Sequence, residues 1–317
     1  MMLIGLKVDV DTLRGTLEGA PALARLFERR GIKASFLFSV GPDHTGRALR
    51  RLLKPGFFAK VLRTSVPSTY GVKTLAYGTL LPGPHIGHRA AASMRAIRDA
   101  GFEVGLHSYD HVRWQDSVAH KGAEWTCREW RRGVDAYQEV FGSVPTCFGA
   151  AGWQINATVL ELEEAAGLNW ASDTRGERPF LPRKGARTYN SVQLPTSLPT
   201  MDELIGRNGV SVNNVGARLA TEVQKSALAH HVFTLHAELE GGPLLAQFEQ
   251  ALDGWKALGA EFCPLGSIVA SLDRPSLPMA TIERKSIPGR VGKLAVQGVA
   301  APTDRATLAI NAGEKIA

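Results

Sequence analysis

Apolar residues along the chain gather in short runs, among them LIGLKVDVD at 3–11, KASFLFSV at 33–40, FEVGLH at 102–107 and HVFTLH at 231–236. Each has the length of a buried strand, and each ends near a polar residue. Weaker runs of the same kind occur at CFGA (147–150), LNWASD (168–173) and YNSVQLP (189–195). Between the runs the spacing turns helical. In 19–30, Leu23, Leu26 and Phe27 share one face, and HRAAASMRAIRDAG at 88–101 reads as a helix closed by Gly101. Further helices are predicted near 121–141, 156–167 and 213–229, and after Pro243. Strands separated by helices imply a parallel sheet, either open or closed into a barrel.

Two segments break this rhythm. Residues 46–87 form a long insert after the second strand, and residues 275–317 lose apolar periodicity and read as a flexible tail behind a catalytic domain at 1–274. The 317 residues suffice for a full core. No apolar run reaches the roughly 18 residues of a spanning helix. The opening MMLIGLKVDVD reads as a strand and not as a leader, so a cytoplasmic location is expected. Cys127, Cys147 and Cys263 are scattered, which speaks against a disulfide framework or a thiolate metal site. The net charge of +7 is compatible with nucleic acid, an anionic lipid or a phosphorylated substrate, and alone decides little. No nucleic-acid motif accompanies it, and nothing calls for an obligate protein partner.

In parallel α/β folds, sites form at the carboxyl ends of the strands. The polar residues there are Asp9 and Asp11, His107 with His111 four residues on, Asp173, and His236. An HxxxH pair can present two imidazoles to one ion from one side of a helical turn. Two imidazoles and a carboxylate leave positions open for water and substrate, as a catalytic metal needs. Asp9 and Asp11 alternate along a strand, and two carboxylates on one buried face call for a cation or a proton between them. Taken alone, Asp173 reads as structural, and His236 reads equally well as a satisfied core histidine. Glu238 and Glu240, just after His236, could face a substrate, but read more readily as solvated loop charges.

VDVD at 8–11, HSYDH at 107–111 and TLH at 234–236 resemble, in order and spacing, the motifs of the polysaccharide deacetylase family, the NodB-homology fold. The resemblance implies a distorted (β/α) barrel with fewer than eight strands, here with a helical insert after the second strand. It implies one divalent metal ion on Asp11, His107 and His111, with Asp9 as general base and His236 as general acid. Asp173 would orient His236. DVDTLRGTLEG, FLFSVGPD, GHRAA, EVGLHSYDH, AAGW, SDTRG, LPTMDELIGR and HAELEG further resemble the deformylase branch of that family. That likeness covers about residues 3–270. It implies hydrolysis of the formamide of a polyprenyl-phosphate-linked 4-deoxy-4-formamido-L-arabinose, a step in lipid A modification and polymyxin resistance. Arg14, Arg175, Trp153 and Glu238 are the candidates for contact with the sugar.

The wider family supplies an Arg that orients the base. Here the corresponding CFGAAGW has none, which leaves Arg14, Arg175 or no residue in that role. The ligand set accommodates zinc, cobalt, nickel, manganese or iron. The insert from Gly46 to Gly71 carries Arg47, Arg50, Arg51, Lys54, Lys60 and Arg63 among Leu49, Leu52, Leu53, Phe57, Phe58, Val61 and Leu62, with no acid. An apolar face beside a basic one fits either a hairpin packed on the barrel or a segment in a bilayer interface. The lipid-linked substrate favours the second, peripheral on the cytoplasmic leaflet of the inner membrane. A deacetylase of another N-acylated sugar and a non-catalytic binder of lipid-linked sugar are the competing readings.

Overall fold

The computed structural model describes residues 2–48, 72–225 and 228–300. Its centre is a seven-stranded parallel sheet. In chain order the strands are β1 (Met2–Val10), β2 (Ser35–Ser39), β3 (Glu103–Ser108), β4 (Cys147–Phe148), β5 (Trp170–Ala171), and later β8 (His230–His236) and β9 (Ala260–Cys263). They lie side by side as β5-β4-β3-β2-β1-β8, and β9 joins the first half of β1 where β2 pairs with the second half. This is the expected distorted barrel.

Both faces of β1 are buried, and they do different things. Ile4, Leu6, Val8 and Val10 enter the main core. Gly5, Lys7 and Asp9 take the alternate face. A Cβ on Gly5 would lie 2.7 Å from Ile268, which belongs to a smaller inner cluster with Leu37, Cys147, Trp170, Leu194, Val232 and Leu265. Lys7 and Asp9 stand above that plug, where the strands end.

Helices pack on the outside. Helix α1 (Ala20–Arg30) buries Leu23, Leu26 and Phe27, and α2 (Ile86–Asp99) buries Ala90, Met94 and Ile97. Gly101 beyond α2 has φ +78°, a left-handed turn that costs a glycine little. Helix α3 (His111–Ser117) follows β3, and α4 (Ala123–Phe141), α5 (Ala157–Ala165), α6 (Val215–Glu222) and α7 (Leu245–Ala257) complete the layer. Among the described residues no helix is long and apolar enough to cross a membrane.

Two expectations are corrected. YNSVQLP is not a strand. Its Gln193 makes isolated bridges to Ala171 and Phe180, and Pro195 has no N–H with which to extend a ladder. Nor does a flexible tail begin at Pro275. β10 (Met279–Lys285) and β11 (Leu294–Ala300) form a second sheet with β6 (Leu181–Lys184) and β7 (Arg187–Thr188), in the order β11-β10-β6-β7. Ala280, Leu294 and Ala295 are buried there, and Arg290 pairs with Asp202 and Glu203. Only residues 301–317 of the expected tail, and 49–71 of the insert, lie outside the described residues.

Candidate metal centre and active site

Asp9 is in register with His236 on β8 and with Leu37 on β2, so the first carboxylate and the third histidine are neighbours across the sheet. Asp11 lies just past the end of β1. His107 sits where the β2–β3 register slips. Phe38 pairs with Leu106 and Ser39 with Ser108, which leaves His107 as the extra residue of a bulge. Bulges re-aim side chains, and this one aims an imidazole at Asp11. The HxxxH pair therefore does not ride one helical turn. His107 closes a strand and His111 opens α3, and the tight link between them brings the rings to 5.3 Å.

Asp11 lies between the two imidazoles. Its Oδ1 is 3.3 Å from His107 Nε2 and its Oδ2 is 3.4 Å from His111 Nε2. One donor atom from each residue falls within a 4.8 Å cluster, the only such group of three among the described residues. Burial disfavours charge on Asp11, but His111 and His107 outweigh it and hold the carboxyl far below its usual range. Burial likewise opposes charge on His107, yet Asp9 and Asp11 raise its pKa. The same field would draw in a cation. Asp9 Oδ1 and Asp11 Oδ1 are buried with no hydrogen-bond partner among the described residues. Orphaned oxygens beside two imidazole edges suit a divalent ion.

The three candidate ligands are held from behind. His107 Nδ1 donates to the Gly149 carbonyl at 2.6 Å, which turns Nε2 toward Asp11. Asp110 caps α3 through Oδ1, which accepts from the Arg113 N–H. Glu238 accepts from the N–H of Asp11, the N–H of Thr12 and the Thr12 hydroxyl. That corrects the solvated reading of Glu238 and Glu240, for both are buried. Glu240 accepts from the His236 N–H at 2.7 Å. Burial pushes both carboxyls up to about 8.

The partner of Asp9 is Lys7, which the sequence reading missed. Lys7 Nζ lies 3.3 Å from Asp9 Oδ2, donates to the Ser172 carbonyl, and is fully buried. The readable signal was a lysine two residues before the aspartate on one strand face. Arg14 instead pairs with Glu18 at the surface. Arg175 is committed to the scaffold, donating to the Thr196 and Leu198 carbonyls and to Glu203. Asp173 does not orient His236. It accepts from the Ala150 N–H and from Gln193, beside buried Glu163. Trp153 is buried with its ring edge-on to His236 at 6.4 Å, and Lys7, Arg175 and Arg290 surround it. Its φ of +51° is strained for a non-glycine residue, and the surrounding packing holds it.

No family model matches the chain. Curated relatives do. A protein of Shewanella sediminis is 38% identical over 296 residues, covering 93% of this chain and 94% of its own. It carries the description "Probable 4-deoxy-4-formamido-L-arabinose-phosphoundecaprenol deformylase ArnD". This chain belongs to the ArnD deformylase family. A second ArnD, from Wigglesworthia glossinidia brevipalpis, is 33% identical and covers 89% of this chain and 98% of its own. A solved structure from Mycobacterium smegmatis, described as a polysaccharide deacetylase, has a TM-score of 0.61 at 17% identity, over 90% of this chain and 95% of its own. A Puue allantoinase structure has a TM-score of 0.57 at 14% identity, over 85% of this chain and 89% of its own. These two share the fold. The ArnD membership makes the chain a hydrolase of an amide bond.

Proposed function

We propose that this chain removes the formyl group from 4-deoxy-4-formamido-L-arabinose carried on undecaprenyl phosphate, at a divalent ion held by Asp11, His107 and His111. The observation that carries this reading is the carboxylate and two imidazoles standing beside Asp9 and His236, in a chain 38% identical to an ArnD over nearly its full length.

A divalent ion bound there would supply a Lewis acid for the formamide carbonyl and lower the pKa of water. Asp9 takes the proton from the attacking water, with Lys7 fixing its carboxylate. His236 gives a proton to the departing nitrogen, because an amide nitrogen leaves poorly without one. Burial lowers the pKa of His236 against the pull of Asp11 and Asp202, which makes its imidazolium a readier donor. The products are formate and a free amine. Two nitrogens and one oxygen admit zinc, cobalt, nickel, manganese or iron.

The lipid-linked substrate places the working enzyme at the inner face of the inner membrane. Of the basic, acid-free insert at 46–71, residues 49–71 lie outside the described residues. Beside it, Leu80 and Leu81 tip an exposed apolar turn, 88% and 41% accessible, which Arg47 ties down through the Gly78 carbonyl. This turn and the insert dock on the anionic leaflet.

The deciding experiment offers metal-loaded protein the formamido-sugar lipid and its acetamido counterpart. Formate from the first and little acetate from the second is expected. No formate would end this reading, and comparable acetate would favour a general deacetylase.

A further inference from the structure

The segment Gly41–Thr45, at the end of β2, touches both loops that carry ligands. Asp43 Oδ2 accepts from the Leu13 N–H, two residues past Asp11, while its Oδ1 accepts from Thr45. The Gly41 N–H donates to the Tyr109 carbonyl at 2.7 Å. His44 Nδ1 meets Asp110 Oδ2 at 2.6 Å. Asp110 is the cap of α3, whose first residue is His111.

The other edge of the His44 ring faces the return limb of the insert. A Cβ on Gly83 would stand 2.6 Å from His44 Cδ2, and one on Gly78 would stand 2.7 Å from the same atom. Two glycines thus close on the ring from the chain that leads back to α2, while its Nδ1 holds the cap of the ligand helix. Any shift of that limb presses on the ring, and the ring is bonded to the residue that sets where α3 begins.

We propose that His44 is a positioning residue that transmits the seating of the insert's return limb to His111, and so sets how the site takes up a divalent ion. The proposal rests on the metal-site reading given above. The bond needs only a ring N–H, so it does not depend on the ring's charge. The consequence is that the segment outside the barrel and the ion inside it are coupled, each favouring the seated form of the other.

Cobalt(II) is the probe, because its visible absorption reports ligand geometry. Affinity is read by competition with a chromogenic chelator. His44→Phe keeps a ring between the glycines and loses the donor. It should bind cobalt about 10–100-fold more weakly, with an altered absorption band. His44→Asn, whose side-chain N–H can stand in for Nδ1–H, should restore both. Gly83→Ala pushes on the Asp43 carbonyl and on the ring, so it moves the Gly41–Thr45 segment as a whole, and it should weaken cobalt binding in the same direction. The melting temperature of the metal-free protein separates this from a general loss of stability, which would lower melting while leaving the absorption band alone. Parent-like affinity and spectrum in His44→Phe overturn the proposal; if that variant fails to fold, the same result in Gly83→Ala does so. Failure of the parent itself to bind cobalt would instead sink the metal-site reading.

Discussion

On the ligand side of the site, Asp11, His107 and His111 are each fixed from behind, by Glu238, by the Gly149 carbonyl and by the Asp110 cap. On the proposed acid side, His236 Nδ1 and Glu240 Oε1 are buried and have no hydrogen-bond partner among the described residues. The groups proposed to hold the ion are each tied through main chain, cap or far ring edge, although Asp11 Oδ1 also lacks a hydrogen-bond partner among the described residues. Groups that meet a substrate keep open valences, each a desolvation cost that a well-placed ligand would relieve. Burial sharpens the contrast, since it pushes Glu240 up to about 8 against the pull of Arg290, while Asp11 is driven down by its histidines in spite of burial.

The largest break in this comparison comes from removing a ligand. His107→Ala or His111→Ala should weaken metal affinity by more than about 100-fold, beyond the loss typical of an outer partner. Metal analysis after gel filtration checks it, and full retention in both variants would refute the ligand set. Next come the acid and the base. Asp9→Asn and His236→Ala should lower turnover by roughly 10²–10⁴-fold while retaining metal. If the metal leaves with Asp9→Asn, then Asp9 belongs to the ligand side.

Lys7→Met tests whether the buried pair is part of the machinery. It leaves the Asp9 carboxylate buried without its cation, and a broken buried pair costs about 3–5 kcal/mol. Thermal melting should fall and turnover should drop with metal content unchanged. Unaltered turnover would return Lys7 to a packing role.

The smallest expected effect is a pH slope. Glu240 has a folded pKa raised above the ordinary carboxylate value, so the fold favours its protonated form. Its contribution is complete below about pH 4.5 and is lost as pH rises through about 8. Metal-free protein should therefore melt lower at pH 9 than at pH 6, by an amount on the order of 5 °C. Glu240→Gln, isosteric and uncharged, should flatten that part of the curve. An unchanged slope assigns it to other groups.

The long strands were legible because β1, β2, β3 and β8 are buried runs that announce themselves as apolar bursts. β4 and β5 are two residues each, and YNSVQLP has the composition of a strand without the ladder. The hairpin at 279–300 was illegible because little of its attachment is apolar. Ala280, Leu294 and Ala295 are buried, and much of the rest is the Arg290 ion pairs, which look like solvated charge in a sequence. The same blindness hid Lys7, Glu238 and Glu240. A charge after or within a strand reads as exposed unless its partner is visible, and Glu238 hydrogen-bonds to Asp11 and Thr12, 227 and 226 residues away. That Asp9, Asp11, His107, His111 and His236 would meet on one rim was legible because they stand in short motifs at strand ends, and the fold brings those ends together.

The strand pairing of Asp9 with His236 has a consequence for how this enzyme can vary. Neighbouring strands are spaced about 4.8 Å apart by main-chain hydrogen bonds, whatever the loops beyond them do. The spacing of the proposed proton acceptor and donor is therefore a lattice constant of the sheet. Loop length and loop sequence can drift freely around such a pair. A chain built this way can carry a long excursion after β2 whose changes would reach the site through the seating of the ion, while the spacing of this pair stays as the sheet sets it.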